Sequence, residues 1–166
     1  YNIPQLAGVA LTPSLFREMR KNPRVIGVKN SSMPVQDIQL FKSEGGDDCV
    51  IFNGPDEQFI SGRLMGAQGA IGGTYGVMPQ LFLKADVCLK AGDWKTARNI
   101  QYDIDQIIYS MCACKGNMYA VIKELLRRKG LDIGSVRLPL TPLVPEDMPQ
   151  VDPWERLIKE SANKYC

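Results

Sequence analysis

The chain has 166 residues, 45% of them apolar and 23% charged, with a net charge of +2, which fits one ordinary globular domain. So small a charge, with no basic cluster interleaved with aromatics, provides no field for nucleic acid, and no apolar run is long enough to span a bilayer. There is no histidine, which removes Ser-His-Asp and Cys-His catalysis, imidazole metal ligation and imidazole proton transfer, and leaves acid–base work to Lys, Tyr, Asp, Glu or Cys.

The chain opens with Tyr1-Asn2-Ile3-Pro4, which reads as a strand end rather than a leader. Thr12-Pro13 is a cap followed by a first-turn proline and predicts a helix through Met19, broken at Asn22-Pro23. Val25 to Lys29 follows as a short buried strand. Pro34 opens a second helix, with Val35, Ile38 and Phe41 as its apolar positions, and Gly45-Gly46 ends it. Cys49 to Phe52 is the next strand, Asn53-Gly54-Pro55 a turn, and Asp56-Glu57 the acidic start of a third helix. Gly69 to Gly73 reads as a last strand running into a glycine-rich loop.

From Met78 the pattern is helical. One helix reaches Lys90 and stops at Ala91-Gly92. A long one from Asp93 to near Cys114 carries Trp94, Ala97, Ile100, Ile104, Ile107 and Ile108 on its apolar side, for a core or a subunit interface. Others span about Met118–Arg128 and Trp154–Lys164, separated by a proline-rich connection from Pro139 to Pro149. The odd count of five irregularly spaced cysteines excludes complete internal pairing and predicts reduced thiols in a cytoplasmic protein, with Cys112 and Cys114 buried and inert.

Strand–helix alternation with glycine-rich strand ends predicts a parallel α/β fold. A closed (β/α)8 barrel needs eight strands and about 250 residues. With only three or four strands visible, the chain reads as the C-terminal half of such a TIM barrel, over residues 1–91, followed by a helical extension over residues 92–166.

Lys29 is the most informative side chain, because it ends a β-branched strand at the edge where such barrels assemble their chemistry. Desolvation there favours the neutral, nucleophilic amine. An iminium formed with a 2-keto acid can take up the electrons of a breaking carbon–carbon bond, and Tyr1, one strand earlier, can take the proton from the adjacent hydroxyl. Asp56 and Glu57 can accept hydrogen bonds from vicinal hydroxyls or cap a helix.

Tyr1-Asn2-Ile3-Pro4, Gly27-Val28-Lys29, Asn53-Gly54-Pro55-Asp56-Glu57 and Gly69-Ala70-Ile71-Gly72-Gly73-Thr74-Tyr75, with Arg137-Leu138-Pro139-Leu140 further on, resemble the N-acetylneuraminate lyase/dihydrodipicolinate synthase family of class I aldolases in order and spacing. The resemblance runs from residue 1 to about Pro142 and is closest to the lyase branch. It implies a homotetrameric (β/α)8 barrel that cleaves N-acetylneuraminate to pyruvate and N-acetylmannosamine, with no cofactor beyond a covalent imine on Lys29 and no metal. Lys29 matches the Schiff-base lysine, Tyr1 the proton-relaying tyrosine, and Ile71 a position whose backbone lies beside the pyruvate unit. Gly54, Asp56 and Glu57 match the segment that holds the hydroxylated sugar tail, and Ser31 and Gly73 match two further substrate-contacting positions.

Three departures bear on the aldehyde half. Ser31 stands where threonine is usual, Pro55 where an aromatic is common, and Gly73 where a serine hydroxyl is usual. They leave open dihydrodipicolinate synthase or another 2-keto-3-deoxy sugar acid aldolase as the activity. The family's Gly-Ser/Thr-Thr-Gly-Glu loop for the pyruvate carboxylate does not occur among these residues, so the resemblance implies that the N-terminal half of the barrel supplies it. A half-barrel subunit without catalysis of its own is the remaining alternative.

Overall fold

The structure, a computed structural model, describes residues 1–166, which form two compact units, Tyr1–Gly72 and Gly73–Cys166. The first is built from three short parallel strands and the helices between them. Its elements are α1 (Pro4–Ala7), α2 (Pro13–Met19), β1 (Gly27–Asn30), α3 (Gln36–Gly45), β2 (Val50–Asn53), α4 (Phe59–Leu64) and β3 (Gly69–Ala70). The Thr12 hydroxyl accepts from Leu15 N at 3.2 Å and Pro13 takes the first helical position, so α2 begins where its residues predict. The acidic pair opens a single tight turn over Asp56–Gln58 before α4 proper.

Both longer strands start later than their apolar runs. Ile26 is 67% exposed and gives its carbonyl to Val50 N, so the paired ladder opens at Gly27 opposite Val50. The sheet order is β1-β2-β3, all parallel, with Lys29 opposite Phe52, Asn30 opposite Asn53, Phe52 opposite Gly69 and Asn53 opposite Ala70. A parallel bridge from Asn2 to Asn30 adds the chain start to the far side of β1, as the strand-end reading of Tyr1-Asn2 predicts. Side chains alternate across the sheet. Val28, Asn30, Ile51 and Asn53 are buried on one face, and Lys29 and Phe52 lie half-buried on the other.

The buried face carries the core of this unit: Phe16, Val28, Ile38, Phe41, Cys49, Ile51 and Ala67. The rings of Phe16 in α2 and Phe41 in α3 meet edge-on, with centroids 5.3 Å apart. Each fully buried apolar side chain of this size contributes roughly 1.5–3 kcal/mol. Helices packed between parallel strands leave the strands' carboxyl ends, with Lys29 and Asn30, Asn53 and Ala70, together at one edge.

The second unit is helical: α5 (Pro79–Lys90), α6 (Trp94–Cys112), α7 (Met118–Arg128) and α8 (Val151–Tyr165). Asp93 caps α6 through Thr96 N at 3.0 Å, and Asn117 caps α7 through Tyr119 N at 2.9 Å. Ala97, Ile100, Ile104, Ile107, Ile108 and Met111 form one buried stripe of α6. Trp94 does not join them: at the first turn it points outward, 55% exposed. α5, with Leu81, Phe82, Ala85 and Cys88 buried, packs against α6 and so belongs to the second compact unit, which begins at Gly73. All five cysteines are free thiols, and Cys112 is exposed, contrary to the expectation that it is buried. No helix is long and apolar enough to cross a membrane.

Candidate active site

The bridge between Asn2 and Asn30 sets the register of the residues before them, so Tyr1 stands opposite Lys29 on the less buried face of the sheet. Two backbone bonds hold it, Asn2 N to Lys29 O at 2.9 Å and Ser31 N to Asn2 O at 2.7 Å. Lys29 Nζ lies over the Tyr1 ring, 4.1 Å from its centroid, where the ring's negative face attracts the ammonium. Ser31 Oγ donates to the Tyr1 hydroxyl at 3.5 Å. That hydrogen bond is the largest influence on Tyr1 and lowers its pKa below the ordinary tyrosine value; burial opposes it, and hydrogen bonding and charge from Lys29 add to it. An amine and a phenol with eased ionisation therefore share one strand edge, which suits nucleophilic attack at a carbonyl followed by proton transfer.

Most of the residues singled out from sequence lie in the same compact unit as this pair. Gly54 N donates to Asn30 O at 2.7 Å, and a Cβ at Gly54 would run into Ser31 Oγ and Asn30 O, so the glycine is what lets β2's exit press against Ser31. Asp56 is buried and Glu57 half-buried in the turn that follows. The Asp56 carboxylate lies so close to Gly72 that a Cβ there would collide with its Oδ1. Ile71 N is engaged by Asn53 O at 3.0 Å, and its side chain is 47% exposed. Tyr1, Lys29, Ser31, Gly54, Asp56, Glu57 and Ile71 thus all belong to the first unit, on the strand ends and the segments that leave them.

Gly73 opens the second unit, just before the buried Thr74. A Cβ on Gly73 would come within 2.5 Å of Tyr119 Cε1. The ring of Tyr119 from the start of α7 therefore occupies the space into which a serine side chain would project. Arg137 lies exposed and its carbonyl accepts from Leu140 N at 3.0 Å in a local turn.

The structure brings further residues to the site whose role is not set by a local signal alone. Phe52 is the register neighbour of Lys29 on the same face, and its ring packs over Gly69. Its signal was available, since it sits in the alternating set of β2, but register between strands is not written in either run. Tyr119 is 46 positions from Gly73 and had no local signal. Asn2 and Asn30 are 4% and 1% exposed and are bonded to each other at 2.7 Å. Left unpaired, a buried amide of this kind costs about 1–3 kcal/mol. No cluster of three or more His, Cys, Asp or Glu side chains could hold a metal ion.

Comparison with known proteins adds three findings. The model of the Dihydrodipicolinate synthetase family matches residues 1–158. An N-acetylneuraminate lyase of Mediterraneibacter gnavus is 62% identical over 167 residues, covering all of this chain and 51% of the relative. Solved structures of a Ruminococcus gnavus sialic acid aldolase, wild type and a catalytic lysine mutant, superpose with a TM-score of 0.97 at 62% and 61% identity, covering all of this chain and 56% and 55% of theirs. The chain spans about half the length of the curated relatives it matches.

Proposed function

Since the chain belongs to the dihydrodipicolinate synthetase family and has the fold of the second half of that family's (β/α)8 barrel with its helical extension, we propose that it carries the imine-forming centre of a class I aldolase that cleaves N-acetylneuraminate to pyruvate and N-acetylmannosamine. The observation that carries this reading is Lys29 Nζ lying over the Tyr1 ring at the carboxyl edge of a parallel sheet. The 62% identical relative named N-acetylneuraminate lyase, and the relative studied as a catalytic lysine mutant, support it.

In this reading the Lys29 amine adds to the keto carbon and water leaves, giving an iminium. The hydroxyl next to the breaking bond gives its proton to the Tyr1 oxygen, the carbon–carbon bond breaks, and its electron pair enters the iminium as an enamine. The aldehyde leaves, the enamine is protonated on carbon, and water returns pyruvate and the free amine. No cofactor takes part beyond the covalent imine. Ser31 holds the Tyr1 hydroxyl, the Ile71 backbone flanks the pyruvate unit, and Gly54, Asp56 and Glu57 receive the hydroxylated tail.

Residues 1–91 then complete the barrel and residues 92–166 extend it. The N-terminal half supplies the donors for the pyruvate carboxylate, because a carboxylate buried without them carries a large desolvation penalty. The whole enzyme works as a homotetramer, a reading supported by the exposed Leu83, Val87, Tyr102 and Tyr109 on α5 and α6. The free thiols support a cytoplasmic setting.

A second reading keeps the imine and changes the aldehyde, to a dihydrodipicolinate synthase or another 2-keto-3-deoxy sugar acid aldolase. It rests on Gly73, whose missing hydroxyl is replaced by the Tyr119 ring. Steady-state turnover of N-acetylneuraminate, a panel of 2-keto-3-deoxy sugar acids, and pyruvate with aspartate semialdehyde separates the two. N-acetylneuraminate with the highest kcat/KM supports the lyase; preference for another pair overturns it in favour of the second reading.

A further inference from the structure

On the face of the sheet away from Lys29, buried polar groups are joined in one line. Leu11 N–H donates to Asn2 Oδ1 at 3.0 Å, Asn2 Nδ2 to Asn30 Oδ1 at 2.7 Å, Asn30 Nδ2 to Ser32 Oγ at 2.8 Å, and Ser32 Oγ to Asp37 Oδ2 at 2.6 Å. Asn2, Asn30 and Ser32 are 4%, 1% and 4% exposed. The direction of the line is fixed at both ends. A backbone N–H can only donate, so Asn2 must turn its oxygen to Leu11 and its amide nitrogen to Asn30. An ionised carboxylate can only accept, so Ser32 must spend its proton on Asp37 and accept from Asn30. Head-to-tail bonds of this kind polarise one another, and the link to the carboxylate is the shortest in the row.

We propose that Asn2, Asn30, Ser32 and Asp37 form a positioning network that fixes the phenol of Tyr1 against the amine of Lys29. The inference rests on the imine-aldolase reading. Tyr1 and Lys29 each directly precede an asparagine of the line, so the Asn2–Asn30 bond lies back to back with the Tyr1–Lys29 pair. The backbone joins these two segments through one bridge, whereas β1 and β2 share four register pairs. The side-chain amides supply the lateral restraint that so short a ladder lacks, and Asp37, in the first turn of α3, anchors it without touching either reacting group.

Imine formation makes its new bond at Lys29, and its proton transfers can draw on solvent, whereas carbon–carbon cleavage in this reading needs Lys29 and Tyr1 in mutual register. Loosening the line therefore affects cleavage more than imine formation. Ser32→Ala, Asp37→Ala and Asp37→Asn are compared in the enzyme with its whole barrel. Asp37 is half-exposed on a helix surface, so its substitution leaves the core intact, and asparagine keeps an acceptor oxygen for Ser32. The readouts are the rate at which borohydride traps pyruvate on Lys29, kcat and KM for N-acetylneuraminate cleavage, and hydrogen exchange at the Asn2 and Ser31 amides.

Ser32→Ala and Asp37→Ala lower kcat by about ten- to a hundredfold, the cost expected of a misplaced reacting group. Trapping stays within about twofold of the parent, because it does not draw on that geometry. Exchange at both amides quickens, and Asp37→Asn keeps both kcat and exchange near the parent values. Cleavage and trapping falling in the same proportion, or neither changing, overturns the proposal. If the parent enzyme traps no pyruvate, the aldolase reading falls and the exchange measurement alone decides the network: faster exchange restored by Asp37→Asn supports it, and unchanged exchange overturns it.

Discussion

Tyr1 stands opposite Lys29 across the Asn2–Asn30 bridge, with the lysine ammonium 4.1 Å from the centroid of the tyrosine ring. The ring and the hydroxyl of Tyr1 do different things in this arrangement. Tyr1→Phe keeps the aromatic face over Lys29 and removes the oxygen proposed to take up the proton. It is expected to trap pyruvate nearly as well as the parent while cleavage kcat falls by about 10²–10⁴-fold, the usual contribution of a positioned acid–base group. Parallel loss of trapping would mean that the hydroxyl serves the imine step instead.

Ser31 favours the ionised form of that hydroxyl. Its Oγ donates to the Tyr1 oxygen and so favours the phenolate over the phenol. Ser31→Ala removes the largest of the influences that lower the Tyr1 pKa, leaving burial, which raises it, opposed only by Lys29. The midpoint of Tyr1 ionisation, followed by tyrosinate ultraviolet absorbance against a Tyr1→Phe blank, moves upward. A midpoint that stays in place or moves down contradicts the assignment.

Much of this was legible in the residues, and the failures have specific causes. The span Met118–Arg128 and the cap at Thr12 are set by local chemistry, and both elements begin and end where that chemistry puts them. α1 has four residues, too few to show any periodicity in the sequence. β1 begins two residues into its apolar run, because Val25 and Ile26 are β-branched but the ladder begins only where β2 comes alongside. Trp94 shares the apolar spacing of the isoleucines of α6, but at the first turn it faces outward, outside the core and without disturbing the stripe that follows. Lys29 and Tyr1 were readable as strand-end groups. Their adjacency depends on the Asn2–Asn30 bridge, a long-range pairing that neither segment encodes alone. The same holds for Tyr119 over Gly73.

Gly72 leaves no room for a side chain beside the buried Asp56 carboxylate. Gly72→Ala must push that carboxylate aside. If Asp56 holds the hydroxylated tail of the substrate, KM for N-acetylneuraminate rises by about ten- to a hundredfold, the equivalent of one to two charge-assisted hydrogen bonds. Pyruvate trapping on Lys29, which does not involve the tail, stays near the parent level. An unchanged KM would remove Asp56 from the substrate site.

In the helical unit, Asp147 joins two turns by accepting from Lys115 N at 2.8 Å, Gly116 N at 3.0 Å and Val144 N at 3.2 Å. Burial works to raise its pKa, but the three backbone donors and the Lys115 charge outweigh it and hold the carboxyl below the ordinary aspartate range. A carboxyl whose pKa is lower folded than unfolded adds stability above its unfolded pKa and loses it as pH falls through the folded one. Asp147→Asn sets an amide NH2 against at least one backbone N–H and is expected to lower Tm by several degrees at neutral pH. The gap to the parent narrows as pH falls through and below the ordinary aspartate range; a gap constant with pH contradicts this role.

The most direct measurement is the covalent state of Lys29. The enzyme with its whole barrel is incubated with pyruvate, reduced with borohydride, digested, and mapped by mass spectrometry. The account predicts a pyruvate-derived adduct on Lys29, lost in Lys29→Arg, which keeps the charge but cannot form the imine. No adduct, or an adduct on another lysine with Lys29 unmodified, contradicts it.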